Sequence, residues 1–187
     1  MRPDQGANTM SSSSSEFDLA KLQQQLNSPG ELHEFVLQYN WDMGYELPRW
    51  VINNPSCDRG TALMIYWMGG VGYYSQYERR EDVPKHELTG YDLMREVEQK
   101  YLSDFYKTNQ ILFNPRYDRQ KGRNGYDWTR AYDDLPTRRP IPPKMLEPSI
   151  TDVEWEAMGR PIKPIKKAPR IKIDVQQIIN NVNSRKS

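Results

Sequence analysis

Thr61 to Met68 reads Thr-Ala-Leu-Met-Ile-Tyr-Trp-Met, an almost unbroken apolar run without a charged residue. A helix made of this run has no side to turn to water, so other elements must surround it. Asp58 stands where its carboxylate can cap such a helix, and Gly69-Gly70 supplies a left-handed stop. Ala62 to Met68 is also short enough for a buried strand, but the agreeing signals at both ends favour a helix.

The neighbours of this central helix are legible as well. Ser28-Pro29-Gly30-Glu31 sets a cap, a proline at the first helical position and a glutamate at the third. Leu32, Phe35, Val36 and Tyr39 follow at the spacing of one helical face, and the turn Trp41-Asp42-Met43-Gly44 closes the segment. A further helix is predicted over about Glu46 to Asn53, with Leu47, Trp50 and Val51 inward and Asn54-Pro55 as its stop. Thr89 and Asp92 read as a capping box. Tyr91, Met94, Val97, Tyr101 and Phe105 then predict the longest helix, running to Tyr106. A weaker helix from Glu16 to Asn27 is capped by Ser15. The pattern therefore predicts an all-α fold: a compact bundle or irregular array of short helices, with a longer helix near residues 90–107 and an extended, proline-rich C-terminal third.

Hydrophobic residues make up only 36% of the chain and mean hydropathy is −0.91, so core material must be concentrated in part of it. Residues 1–15, ending in five serines, have nothing to bury and are expected to be disordered. Residues 16–114 are the predicted helical core, and residues 115–148 a Pro/Arg-rich extended segment. Residues 149–187 hold short helices and a basic tail: one helix over Thr151 to Met158 using Val153, Trp155 and Met158, another capped by Asp174. The tyrosines, tryptophans and capped apolar runs beyond Pro115 predict that part of this third wraps onto the core or onto a partner. Charge is divided too: Met1 to Met158 has 18 basic and 24 acidic residues, net −6, while Gly159 to Ser187 has 8 and 1, net +7. An acidic body suits a basic partner and a basic tail an acidic one, unless the tail screens its own body.

Cys57 is the single cysteine, so no intrachain disulfide can form, which fits a reducing compartment. No apolar run reaches the roughly 18 residues of a membrane span. Met1 to Glu16 lacks the apolar centre of a signal peptide. A cytoplasmic location is the expectation.

Asn40-Trp41-Asp42, Gly44, Glu46 and Pro48, followed by Cys57-Asp58-x-Gly60-Thr61-Ala62-Leu63 and Trp67, form the most distinctive constellation. Its chemistry is that of scaffold. Trp41 and Trp50 suit a core or groove wall, Asp42 and Asp58 suit caps of the following helices, and Gly44 and Gly60 suit tight backbone. With these residues, roughly Leu32 to Phe113 resembles a bacterial domain-of-unknown-function family. The resemblance implies an all-helical intracellular domain without established activity. Some members look like proteins encoded near secreted toxins, which extends the implication to an immunity protein that neutralises a toxin.

No catalytic, cofactor or metal residue is predicted. Cys57, His33 and His86 are the soft and imidazole candidates, and none is paired at ligand spacing. Gly69-Gly70-Val71-Gly72 lacks the Lys-Ser/Thr of a phosphate loop. An enzyme using Cys57 with a histidine brought near by folding is kept as an alternative. Arg116 to Arg123 mixes basic groups with an aromatic and Lys163 to Lys172 adds more charge, yet the acidic body and missing fold motif make nucleic acid the weaker fit. Aromatics outside the predicted helices point elsewhere: Tyr73, Tyr74, Tyr77, Tyr117, Tyr126, Trp128 and Tyr132. Exposed tyrosine and tryptophan are common anchors of protein interfaces. Tyr73, Tyr74 and Tyr77, followed by Glu78, Glu81, Asp82 and Glu87, are the predicted partner-binding residues. The expected function is non-enzymatic protein binding, with a cognate toxin as the candidate partner. A helical scaffold whose basic tail recruits a partner is the second alternative.

Overall fold

A computed structural model describes residues 26–118 and 125–159. The chain divides into two units, Met1–Asn27 with Lys172–Ser187, and Ser28–Ile171. Of the first, only Leu26 and Asn27 are described. The predicted tail 1–15, nearly all of the helix capped by Ser15, the basic run 119–124 and the helix capped by Asp174 lie outside the described residues.

Among the described residues the fold is helical, without a sheet. Helix α1, Pro29–Leu37, starts on the expected capping box: the Glu31 N–H donates to Ser28 Oγ at 3.3 Å, and the Ser28 N–H donates to Glu31 Oε2 at 2.9 Å. Trp41–Met43 is a single 3-10 turn, capped by Asn40 Oδ1. Helix α2, Glu46–Asn53, begins at Tyr45 with no side-chain cap, so Asp42 does not cap it as expected. Asn40, two residues before Asp42, accepts the Asp42 N–H and caps the 3-10 turn, while α2 has no side-chain cap.

Helix α3, Arg59–Met68, is the central helix: every residue from Gly60 to Trp67 is buried. It packs on α1, on the short α4, Val71–Tyr74, and on α5, Leu88–Leu102. The stop is where the glycine pair places it, with Gly70 at φ +91°. Asp58 Oδ1 caps α3 by accepting the Gly60 N–H at 2.8 Å. The same buried carboxylate accepts the N–H groups of Gln110 at 2.7 Å and Ile111 at 3.3 Å, binding the chain after α5 across the start of α3. Burial raises the Asp58 pKa, and these N–H groups oppose the rise. Gly60 permits the crossing, because a Cβ there would lie 2.0 Å from the Ile111 carbonyl oxygen.

Two boundaries of the long helix differ from expectation. A 3-10 turn, Lys85–Glu87, runs directly into α5, so the cap position falls on Glu87 and not on Thr89. Asp92 receives the Arg80 guanidinium instead, at 2.8 and 2.9 Å. At the other end α5 stops at Leu102, short of residues 106–107. Asp104 adopts φ +53°, and the N–H groups of Phe105 and Asp104 turn back to the carbonyls of Lys100 and Tyr101.

Residues 138–150 lie over the core as a strap. The N–H groups of Arg138 and Arg139 both donate to the Ser75 carbonyl, at 3.0 and 2.9 Å. Trp67 Nε1 donates to the Met145 carbonyl at 2.9 Å, and the Met145 side chain is wholly buried. Ser149 is bonded to both Ile111 and Phe113. Arg139 reaches Glu98, a carboxylate in the core that also takes the Tyr66 hydroxyl and Arg95. The last described helix, α6, Asp152–Ala157, has the Thr151–Glu154 capping box, but Val153 is 78% exposed and Met158 is also exposed. Its apolar residues are thus largely unburied, contrary to the core use expected of Val153 and Met158.

Candidate interaction surface

Helix α4 is one turn long and carries Tyr73 and Tyr74 side by side. Tyr74 turns inward: its hydroxyl donates to Glu87 Oε2 at 3.0 Å and meets the Tyr45 hydroxyl at 3.0 Å. Gly90 makes room for it, since a Cβ there would fall 1.9 Å from the Tyr74 oxygen. Tyr73 packs against Tyr74 at a centroid separation of 5.2 Å, against Tyr77 at 6.1 Å and against Tyr132 at 6.1 Å. Its hydroxyl lies 3.3 Å from that of Tyr77. Tyr132 rests on the backbone at Gly72, where a Cβ would come within 2.8 Å of its ring. Trp41 continues the aromatic run from Tyr45 at 6.4 Å.

Burial separates support from surface. Tyr74 is buried; Trp41, Tyr45, Tyr73 and Tyr77 are half-buried, and Tyr132 is 39% exposed. Tyr45, Tyr73 and Tyr74 stay neutral near pH 7. Burial pushes Tyr74 and Tyr45 up, and the hydrogen bond to Tyr77 leads the causes that push Tyr73 up to about 12. The surface therefore offers aromatic rings and hydroxyls.

The acidic candidates divide into two pairs. Glu78 and Glu81 are exposed and form no ion pair among the described residues. Asp82 and Glu87 are engaged: Arg79 pairs with Asp82 at 3.1 Å and holds its carboxyl below the ordinary range, while Glu87 holds Tyr74. Tyr73, Tyr74 and Tyr77 are brought together as one cluster. Tyr45 and Tyr132 belong to it as well, though nothing in their local sequence indicates it. Tyr126 and Trp128 form a separate pair at 4.8 Å, with Trp128 Nε1 on Asp118.

The motif residues are built into the frame. Cys57 is 1% exposed, its thiol 3.6 Å from the Asp58 carbonyl, and burial pushes its pKa well up. A thiol so held is a poor nucleophile. His33 is buried with Nδ1 3.1 Å from Thr61 Oγ1, whereas His86 is largely exposed beside Glu87. Asp58, Gly60 and Trp67 join α3 to the chain after α5 and to the strap. Among the described residues, no three His, Cys, Asp or Glu side chains gather as a metal site. No described helix is long and apolar enough to cross a membrane.

Over residues 27–102 the chain is similar to a family described as Domain of unknown function (DUF4274). The match spans α1 to α5 and ends before the strap and Tyr132. Neither a curated protein nor a solved structure matches the chain.

Proposed function

We propose that this chain is a non-enzymatic bacterial protein-binding domain that presents Tyr45, Tyr73, Tyr77 and Tyr132 to a protein partner. One observation carries the reading: the incompletely buried Tyr73, Tyr77 and Tyr132 cluster beside buried Tyr74, whose hydroxyl is fixed by hydrogen bonds with half-buried Tyr45 and Glu87. Tyrosines fixed in this way lose little rotamer freedom when a partner arrives, which favours their use as interface anchors. The buried, protonated thiol of Cys57 disfavours the enzyme alternative.

An immunity protein is the specific form of this proposal, and rests on the family resemblance. It would act inside the cell by covering a toxin's working surface. The test is co-purification with the product of the adjacent gene, using the intact chain and Tyr132→Ala. The expected result is a stable complex with the intact chain, weakened at least tenfold by the substitution, and protection of cells from that product. Absence of both complex and protection sinks the immunity form. An undiminished complex with Tyr132→Ala and Tyr77→Ala sinks the surface.

A further inference from the structure

We infer that the tyrosine surface seats a cationic side chain, an arginine or lysine on a basic segment of the partner protein, with Glu87 as its counter-charge. The inference rests on the proposed binding role and names the chemistry of the partner. Tyr73 is flanked by Tyr74, Tyr77 and Tyr132 at interplanar angles of 78°, 76° and 60°. Rings set steeply around a central ring form the walls of a box, and a cation beside a tyrosine face is attracted by the ring's quadrupole. Glu87 stands at the base of this box, hydrogen-bonded to Tyr74 and with its side chain 28% exposed.

Charge around the box favours a cation over an anion. Arg79 and Arg80 are taken up by Asp82 and Asp92. That leaves Glu78, Glu81 and Glu87 against Lys85 and Arg138, whose N–H binds the Ser75 carbonyl and whose charge reaches Asp82. A proline-rich segment could also lie on tyrosine rings but would make no use of these carboxylates. The acidic excess of residues 1–158 acts in the same direction at longer range.

The experiment titrates the full chain with four capped hexapeptides, of arginine, lysine, proline and glutamate, and follows tyrosine ring resonances. The arginine or lysine peptide should move the Tyr73, Tyr77 and Tyr132 signals, with affinity falling as salt is raised. Glu87→Gln keeps an acceptor for the Tyr74 hydroxyl and removes the charge; it should weaken the basic peptide roughly fivefold at unchanged Tm. Tyr132→Leu, which keeps bulk and removes the ring, should weaken it by a similar factor. The inference is overturned if the proline or glutamate peptide is the one that moves these rings, if the basic peptides bind elsewhere, or if both substitutions leave their affinity unchanged. Partner capture lost in Tyr132→Ala alongside failed basic peptides overturns the cationic seat alone. Partner capture that survives loss of these tyrosines overturns the surface reading itself.

Discussion

The Tyr66 hydroxyl donates to Glu98 Oε2 at 2.7 Å, and both residues lie in the core, Glu98 only 4% exposed. Arg95 and Arg139 complete the shell of that carboxylate. Removing it strands three donors at once. Glu98→Ala should cost roughly 3 kcal/mol and Tyr66→Phe about half of that. Urea unfolding measures both, and a midpoint in Glu98→Ala equal to that of the parent would show that the carboxylate holds nothing.

His33 should make the fold acid-sensitive. Burial lowers its pKa from the ordinary 6.5 to about 4. Between those values the unfolded chain binds a proton that the folded chain refuses. Stability is therefore full above about pH 6.5 and falls as pH drops toward 4, by on the order of 3 kcal/mol. Asp58, whose pKa is raised by burial, contributes with the opposite sign over its own range. Comparing parent with His33→Leu isolates the histidine: the parent should lose stability relative to the variant as pH falls through this window. A difference between the two that stays constant with pH would contradict the buried, neutral imidazole.

Gly90→Ala tests whether space or helix propensity decides. Alanine in a helix ordinarily gains about 1 kcal/mol over glycine. Here the new methyl meets the Tyr74 oxygen, which is itself bonded to Tyr45 and Glu87. Overpacking of this kind costs about 1–3 kcal/mol, so the net effect should be destabilising. The ring signals of Tyr45, Tyr73 and Tyr74 should shift with it. A stabilised variant with unmoved rings would contradict the packing described.

Asp104→Gly should act in the reverse direction. The residue occupies a left-handed position after α5 that glycine adopts without steric cost. Its ion pair with Lys144, at 2.9 Å, is well exposed and contributes little. A rise in Tm of about 2 °C is expected by thermal melting. A fall would show that the Lys144 contact outweighs the relief of backbone strain.

What could be foreseen was local. The Ser28 capping box, the all-round apolar α3 and its Gly69-Gly70 stop are each written within a few neighbouring residues, and the structure has all three. The end of α5 was hidden because Tyr101 and Phe105 keep the helical spacing across the point where Asp104 turns left-handed. The start was hidden because a 3-10 turn leading into a helix leaves no cap for Thr89 to fill. The tyrosine surface was half visible. Tyr73, Tyr74 and Tyr77 are neighbours in sequence, but Tyr132 reaches Tyr73 from a distant part of the chain, and no local pattern encodes that pairing.

The strap has a kinetic consequence. The bond from Trp67 to Met145 joins residues 78 apart in sequence, while successive helices from α1 to α5 are separated by far fewer residues, at most the 13 between Tyr74 and Leu88. Closing so long a loop is entropically slower than packing adjacent helices, so residues 138–150 should dock after the transition state has formed. Met145→Ala should then speed unfolding and leave the folding rate nearly untouched, the φ-value of a late contact. On a ribosome α1 to α5 emerge first, and the chain passes through an interval in which the Met145 site on the core stands open. During that interval the half-built molecule exposes apolar surface that the finished one does not, and it is then that a chaperone or an unintended partner can compete with the protein's own C-terminal third.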